Sequence, residues 1–238
     1  MIFSDGKLLK RGSEVRTLID SGNVFDVFYK ALEDFRRFRK PFKLLVLIGS
    51  LLDNGDLGYE VLANAVIRSC EVECFKEWIE VLTLLKGYVD IVKLTEYLLK
   101  QDRGVLSSQV YEELLKTLSC EDLVTLANTP LDKGREFIKA YVKVGLTVAS
   151  CSDIVKTKAL GLLSDALLND VLKASDLREA LRNVNIKIVL KRRFGEVSGV
   201  DIYINNEKIN VTEDVNVIGM LKAYMLQEIN SSVNSLAS

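Results

Sequence analysis

Apolar residues recur every three or four positions from about residue 13 to residue 184, and at Asn185 the period switches to two. The first pattern belongs to helices with one buried stripe, the second to strands with one buried face. Over 24–40 the stripe runs through Val24, Phe25, Phe28, Ala31, Leu32, Phe35 and Phe38, which predicts an amphipathic helix. Pro41 begins a second helix, because its fixed φ suits a first turn and its missing N–H is not needed there. The second stripe is Leu44, Leu45, Leu47, Ile48, Leu51 and Leu52, and Asn54-Gly55 supplies the stop. Asp56 is placed to cap a third helix, striped by Tyr59, Leu62, Ala63, Val66 and Ile67 and interrupted at SCEVE, residues 69–73. Further helices are expected over about 72–86, 89–102, 107–118, 120–128, 131–145, 151–172 and 175–183.

Links of two to five residues leave no slack for long crossovers, so sequence neighbours must pack together. The expected fold class is mainly α: an irregular multi-helix bundle or a short α-solenoid with a small C-terminal antiparallel β-hairpin/α unit. Helix spacing is irregular, with no fixed repeat of the tetratricopeptide, ankyrin or leucine-rich kind.

In the C-terminal part, NIKIVLKRRF sets Ile186, Ile188 and Leu190 on one face and Lys187, Lys191 and Arg193 on the other. VDIYINNEKINV alternates again around an Asn205-Asn206 turn, and Thr212 can cap a last helix carrying Val217, Ile218, Leu221, Tyr224, Met225 and Ile229. The expected organisation is a helical domain over 1–184, divisible into modules 1–103 and 104–184, and a β/α unit over 185–238 docked on it. About 50 residues of this kind hardly fold alone.

The 238-residue chain is 48% apolar and 27% charged, with 14 glycines and 2 prolines, which excludes disordered and collagenous classes. Its longest near-continuous apolar run, Leu44 to Leu52, is far shorter than the roughly 20 residues of a membrane crossing. The N-terminus lacks a secretory h-region. A cytoplasmic location without a membrane partner is therefore expected. Three glutamines, three methionines and no histidine hint at a heat-adapted source.

The lack of histidine removes serine triads, cysteine–histidine pairs, HExxH zinc sites and imidazole bases. Neither a GxxxxGK[ST] phosphate loop nor a GxGxxG turn occurs. No enzymatic activity, cofactor or metal is expected. Cys70, Cys74, Cys120 and Cys151 form no paired C-x-x-C knuckles and read as buried reduced thiols acting as small hydrophobes.

Charge is uneven: 9 basic and 16 acidic residues over 44–136 stand between basic flanks, although the net charge is −1. Glu73, Glu77 and Glu80 lie at helical spacing beside Trp78 and could attract a basic protein partner or form a solvated helix face. Arg36, Arg37, Arg39, Lys40 and Lys43 surround Phe35, Phe38 and Phe42, and with Lys187, Lys191, Arg192 and Arg193 they could form a nucleic-acid surface. Ordinary explanations compete: cations in a last helical turn, and an exposed strand guarded against aggregation by lysine and arginine.

Residues 41–92, from PFKLLVLIGSLLDNG through YEVLANAV to LLKGYVDI, resemble a winged helix-turn-helix, and 107–147 echo it in SQVYEELLKTL, CEDLVTLANT and LDKGREFIKAYVKVGLTV. The resemblance implies that a third helix enters a DNA major groove, though in the first segment that helix carries Glu73, Glu77 and Glu80, and no second wing strand follows. The second copy carries Lys133, Arg135, Lys139 and Lys143 there instead. Tandem winged helices also serve as protein-interaction modules. Two readings follow: a non-enzymatic adaptor or scaffold acting on a protein partner, and a nucleic-acid-associated protein. Self-association is left open.

Overall fold

The computed structural model describes residues 2–4, 7–9, 22–72, 77–84, 88–148, 151, 153–182, 184–210, 219 and 222. The protein is mainly helical, with a small antiparallel sheet near its C-terminus, and it divides into two compact units, Met1–Leu106 and Ser107–Ser238.

The first unit opens with a short antiparallel pair, β1 (Ile2–Ser4) and β2 (Lys7–Leu9), which the helical patterning did not predict. Five helices follow: α1 (Val24–Phe38), α2 (Phe42–Leu52), α3 (Asp56–Val72), α4 (Glu77–Leu84) and α5 (Ile91–Gln101). Phe28, Leu32, Leu44, Leu47, Leu51, Leu62, Trp78, Val81, Leu94 and Leu98 fill the core, and the Phe28 and Trp78 rings sit 5.8 Å apart. Helices α2 and α3 approach so closely that a Cβ on Gly58 would fall 1.9 Å from the Leu51 carbonyl oxygen. Asp90 caps α5 by accepting a hydrogen bond from the Lys93 amide at 2.9 Å, and its own amide donates to the Tyr59 hydroxyl at 3.0 Å.

Two local expectations need correction. Helix α3 continues through Ser69 and Cys70 to Val72, because the Ser69 hydroxyl donates to the Ala65 carbonyl (2.7 Å) and so satisfies itself inside the helix. Phe38, expected in the buried stripe, is 56% exposed. It ends α1 at the corner where Arg39 turns left-handed (φ 53°), beside Phe42 at 60% exposed.

In the second unit α6 (Ser108–Lys116), α7 (Cys120–Asn128), α8 (Arg135–Thr147), α9 (Asp153–Leu168) and α10 (Ala174–Ala180) precede the sheet. Helix α8 is its centre, packing on α6, α9 and α10. Tyr111 meets Phe137 edge-on at 5.5 Å, and the buried Tyr141 hydroxyl donates to the Leu123 carbonyl of α7 at 2.7 Å. Ser119 and Asp122 form a capping box at the start of α7.

Cys120 and Cys151 form a disulfide across a separation of 31 residues, and Cys70 is also disulfide-bonded. This corrects the expectation of reduced thiols. Partners so far apart carry no local spacing signal, and it is the packing of α7 against α9 that brings the segments together.

Strands β3 (Ile186–Arg193), β4 (Glu196–Ile204) and β5 (Glu207–Ile209) form an antiparallel sheet in the order β3-β4-β5. Two two-residue turns with positive φ connect them, Phe194-Gly195 (54° and 89°) and the expected Asn205-Asn206 (50° and 70°). Ile186, Ile202, Ile204 and Ile209 are buried on the inner face. The unit docks on α9: the Asn210 amide donates to Asp153 at 3.1 Å. The expected last helix lies largely outside the described residues. Within it, a Cβ on Gly219 would meet the Ser164 carbonyl oxygen at 2.5 Å, and Lys222 donates to the Leu167 carbonyl (2.6 Å) and Asp170 (2.8 Å) at the end of α9.

Candidate functional site

The basic and acidic groups singled out in the first unit answer one another. Arg39 closes α1, its amide donating to the Phe35 carbonyl at 2.8 Å, and its guanidinium lies 3.1 Å from the Glu80 carboxylate on α4. Lys43 pairs with Asp34 at 2.6 Å, and the Arg37 guanidinium sits 5.3 Å from the Phe38 ring centre. Arg36 and Lys40 are exposed, and Glu77 is half-buried. Glu73 lies outside the described residues. Arg39–Glu80 links the end of α1 to α4, and Lys43–Asp34 links the start of α2 to α1.

In the second unit the cations of the second winged-helix-like segment are similarly engaged. Arg135 grips Asp176 with two nitrogens, at 2.5 and 3.0 Å. Lys139, 7% exposed, pairs with Glu179 (2.6 Å) and Glu136 (3.2 Å). Lys143 and Lys116 both reach Glu112, at 2.7 and 2.9 Å, and Lys133 donates to the Thr129 carbonyl. Burial works against the Asp176 charge, but the Arg135 fork and the Lys173 amide outweigh it and hold the carboxyl below the usual range. For Lys139 burial is likewise outweighed, here by Glu179 and Glu136, and its pKa rises. Of these groups Glu112, Lys139, Lys143 and Glu179 line a depression between α6, α8 and α10 and tie the three helices together. Most of α8 is buried, including Phe137, Ile138, Tyr141, Val142 and Val144.

The remaining basic group is built differently. Lys187, Lys191 and Arg193 all point outward from β3 and are exposed, while the side chain of Arg192 falls outside the described residues. The register sets Lys187 opposite Tyr203 and Tyr203 opposite Lys208, which makes a Lys–Tyr–Lys row across all three strands on the outer face. Val189, 37% exposed, stands opposite Asp201. Asp201 accepts from Lys191 at 2.8 Å and Lys208 at 3.0 Å, and these two ammonium groups hold its carboxyl below the usual range.

At the tip of the β3–β4 hairpin Phe194 is 100% exposed in the left-handed region. A bulky residue there is an outlier that costs of order 1–3 kcal/mol. Sequence reasoning missed Asp201, Tyr203 and Lys208. The signal was present: a two-residue Asn205-Asn206 loop fixes Tyr203 opposite Lys208 once the strands are accepted.

Among the described residues, no group of three or more acidic or cysteine side chains is placed to hold a metal ion, and no helix is long and apolar enough to cross a membrane. No protein family, curated protein or solved structure matches the chain.

Proposed function

We propose that the protein is a non-enzymatic adaptor that acts through protein–protein contact, with the C-terminal sheet as its contact surface. The observation that carries this reading is the outer face of that sheet, where Tyr203 stands between Lys187 and Lys208, Lys191 and Arg193 lie further along β3, and the hairpin ends in the fully exposed Phe194. Tyrosine and arginine are among the residues enriched at interface hot spots. One residue from each of the two other candidate groups, Arg39 and Glu80, forms an exposed ion pair. Lysine-directed crosslinking in extracts of the native source, followed by mass spectrometry, tests the reading. Crosslinks from a folded partner to Lys187, Lys191 or Lys208 are expected, and crosslinks confined to other lysines would remove the sheet from the role.

A second reading, nucleic-acid association, is favoured by the Lys187–Tyr203–Lys208 row, since a base stacks on an aromatic ring between cations. Winged-helix-like segments 41–92 and 107–147 would then be its framework. Its signature is steep salt dependence: several phosphate contacts lose orders of magnitude in affinity between low and moderate salt. Absence of any shift of DNA or RNA at low salt ends this reading.

Disulfides such as Cys120–Cys151 are rare in the cytoplasm except in hyperthermophiles, so the proposed cytoplasmic location stands only together with a hyperthermophilic source. A melting temperature above about 90 °C is then expected.

A further inference from the structure

We propose that the outer edge of β3 accepts an extended acidic segment of a partner protein as a fourth strand, with Phe194 as its apolar anchor. The inference rests on the adaptor reading and deepens it. Among the described residues β3 pairs with β4 alone, and no described strand pairs with the other edge of this eight-residue strand. Such an edge is a template for strand addition, in which main-chain hydrogen bonds give affinity and alternate side chains give specificity.

The side chains along this edge select the occupant. Lys187, Val189, Lys191 and Arg193 alternate outward, three cations around one apolar position. A second copy of the chain is disfavoured: antiparallel pairing of β3 with itself, centred on Val189 or Leu190, sets Lys187 opposite Lys191 or Arg193. Like charges directly opposite destabilise a strand pair, and Asp or Glu at the same positions stabilises it. The cations that keep the edge from self-association therefore admit an acidic strand. Within the sheet Asp201 already serves as such a partner, meeting Lys191 and Lys208 from β4. Phe194 stands where β3 ends, wholly exposed and held left-handed by the Phe194-Gly195 turn, so that an added strand running past Arg193 meets its ring.

The test uses the full chain and three fluorescent probes: a decapeptide of alternating Glu and Val, a decapeptide of the same composition with its five glutamates in one block, and a twenty-residue oligothymidylate. Binding is followed by anisotropy, and the site by hydrogen exchange of the β3 amides. The alternating peptide is expected to bind at least tenfold more tightly than the block peptide and to slow exchange of those β3 amides that do not bond to β4. The charge-reversed variant K187E/R193E should lose at least tenfold. F194A, which leaves the charges intact, should lose several-fold with the circular dichroism spectrum unchanged. Equal binding of the two peptides, absence of β3 protection, or tighter binding of the oligothymidylate with protection at β3 would overturn the proposal. If native crosslinks reach the sheet face while β3 stays unprotected by the peptide, strand addition falls and the adaptor reading stands. If crosslinks avoid the sheet while the peptide protects β3, the adaptor reading loses its surface and the edge keeps its acidic-strand specificity.

Discussion

Arg39 and Glu80 lie 3.1 Å apart, one at the end of α1 and the other on α4. Their side chains are 62% and 57% exposed, so the pair sits in high dielectric. A double-mutant cycle with R39A and E80A should give a coupling below about 1 kcal/mol that fades in high salt. A coupling well above that would assign the pair a structural role that its exposure does not support.

The disulfide between Cys120 and Cys151 closes a loop across 31 residues of separation. Removing it returns conformational freedom to the unfolded chain, worth roughly 3–4 kcal/mol for a loop of this length. C120S/C151S should lower the unfolding free energy by that amount and so shift the denaturant midpoint down, with the slope of the transition read alongside to register any change in the unfolded state.

Asp176 carries a pH dependence of known sign. Its folded pKa lies below the ordinary value of 3.8, so its stabilising contribution is fully present above that value and is lost as pH falls below it, through the folded pKa. D176N removes the charge that faces the Arg135 fork and should cost about 2 kcal/mol at neutral pH. Acid titration of stability should be shallower in the variant below about pH 4. An unchanged acid limb would show that this pair does not govern it.

Gly58 has no room for a side chain, since its Cβ would fall 1.9 Å from the Leu51 carbonyl oxygen. That obstacle is backbone on the adjoining helix, so α2 and α3 must separate. G58A should therefore destabilise by about 1–3 kcal/mol despite alanine's better helix propensity, as measured by urea unfolding.

Phe194 occupies a turn position that favours Asn or Gly. F194N should relieve backbone strain and raise stability by about 1 kcal/mol, measurable as a higher denaturant midpoint. A stability gain joined to a loss of strand binding would identify a side chain kept for contact at the expense of fold.

Much of this architecture was legible because burial imposes periodicity. Phe28, Leu32 and Phe35 repeat at helical spacing and are buried in α1, while the alternation from Ile186 onward is the β3–β4–β5 sheet. What periodicity does not encode is where an element ends relative to its cover. Phe38 continues the stripe in sequence, but it lies in the last turn of α1, where the chain leaves through Arg39. Distant pairings were equally hidden, because Arg39–Glu80, Arg135–Asp176 and Cys120–Cys151 are separated by 41, 41 and 31 positions. The outer sheet face lies between these cases: parity gave Lys187, Lys191 and Arg193, and the turns supplied Tyr203 and Lys208.

The bond between Cys120 and Cys151 also makes a covalent ring that holds all of α7 and all of α8. A protease that cuts once between those cysteines cannot release either piece. The nicked chain would migrate as one species without reductant and as two fragments with it, and its halves would stay at high local concentration and re-form the α6–α8 contacts after unfolding.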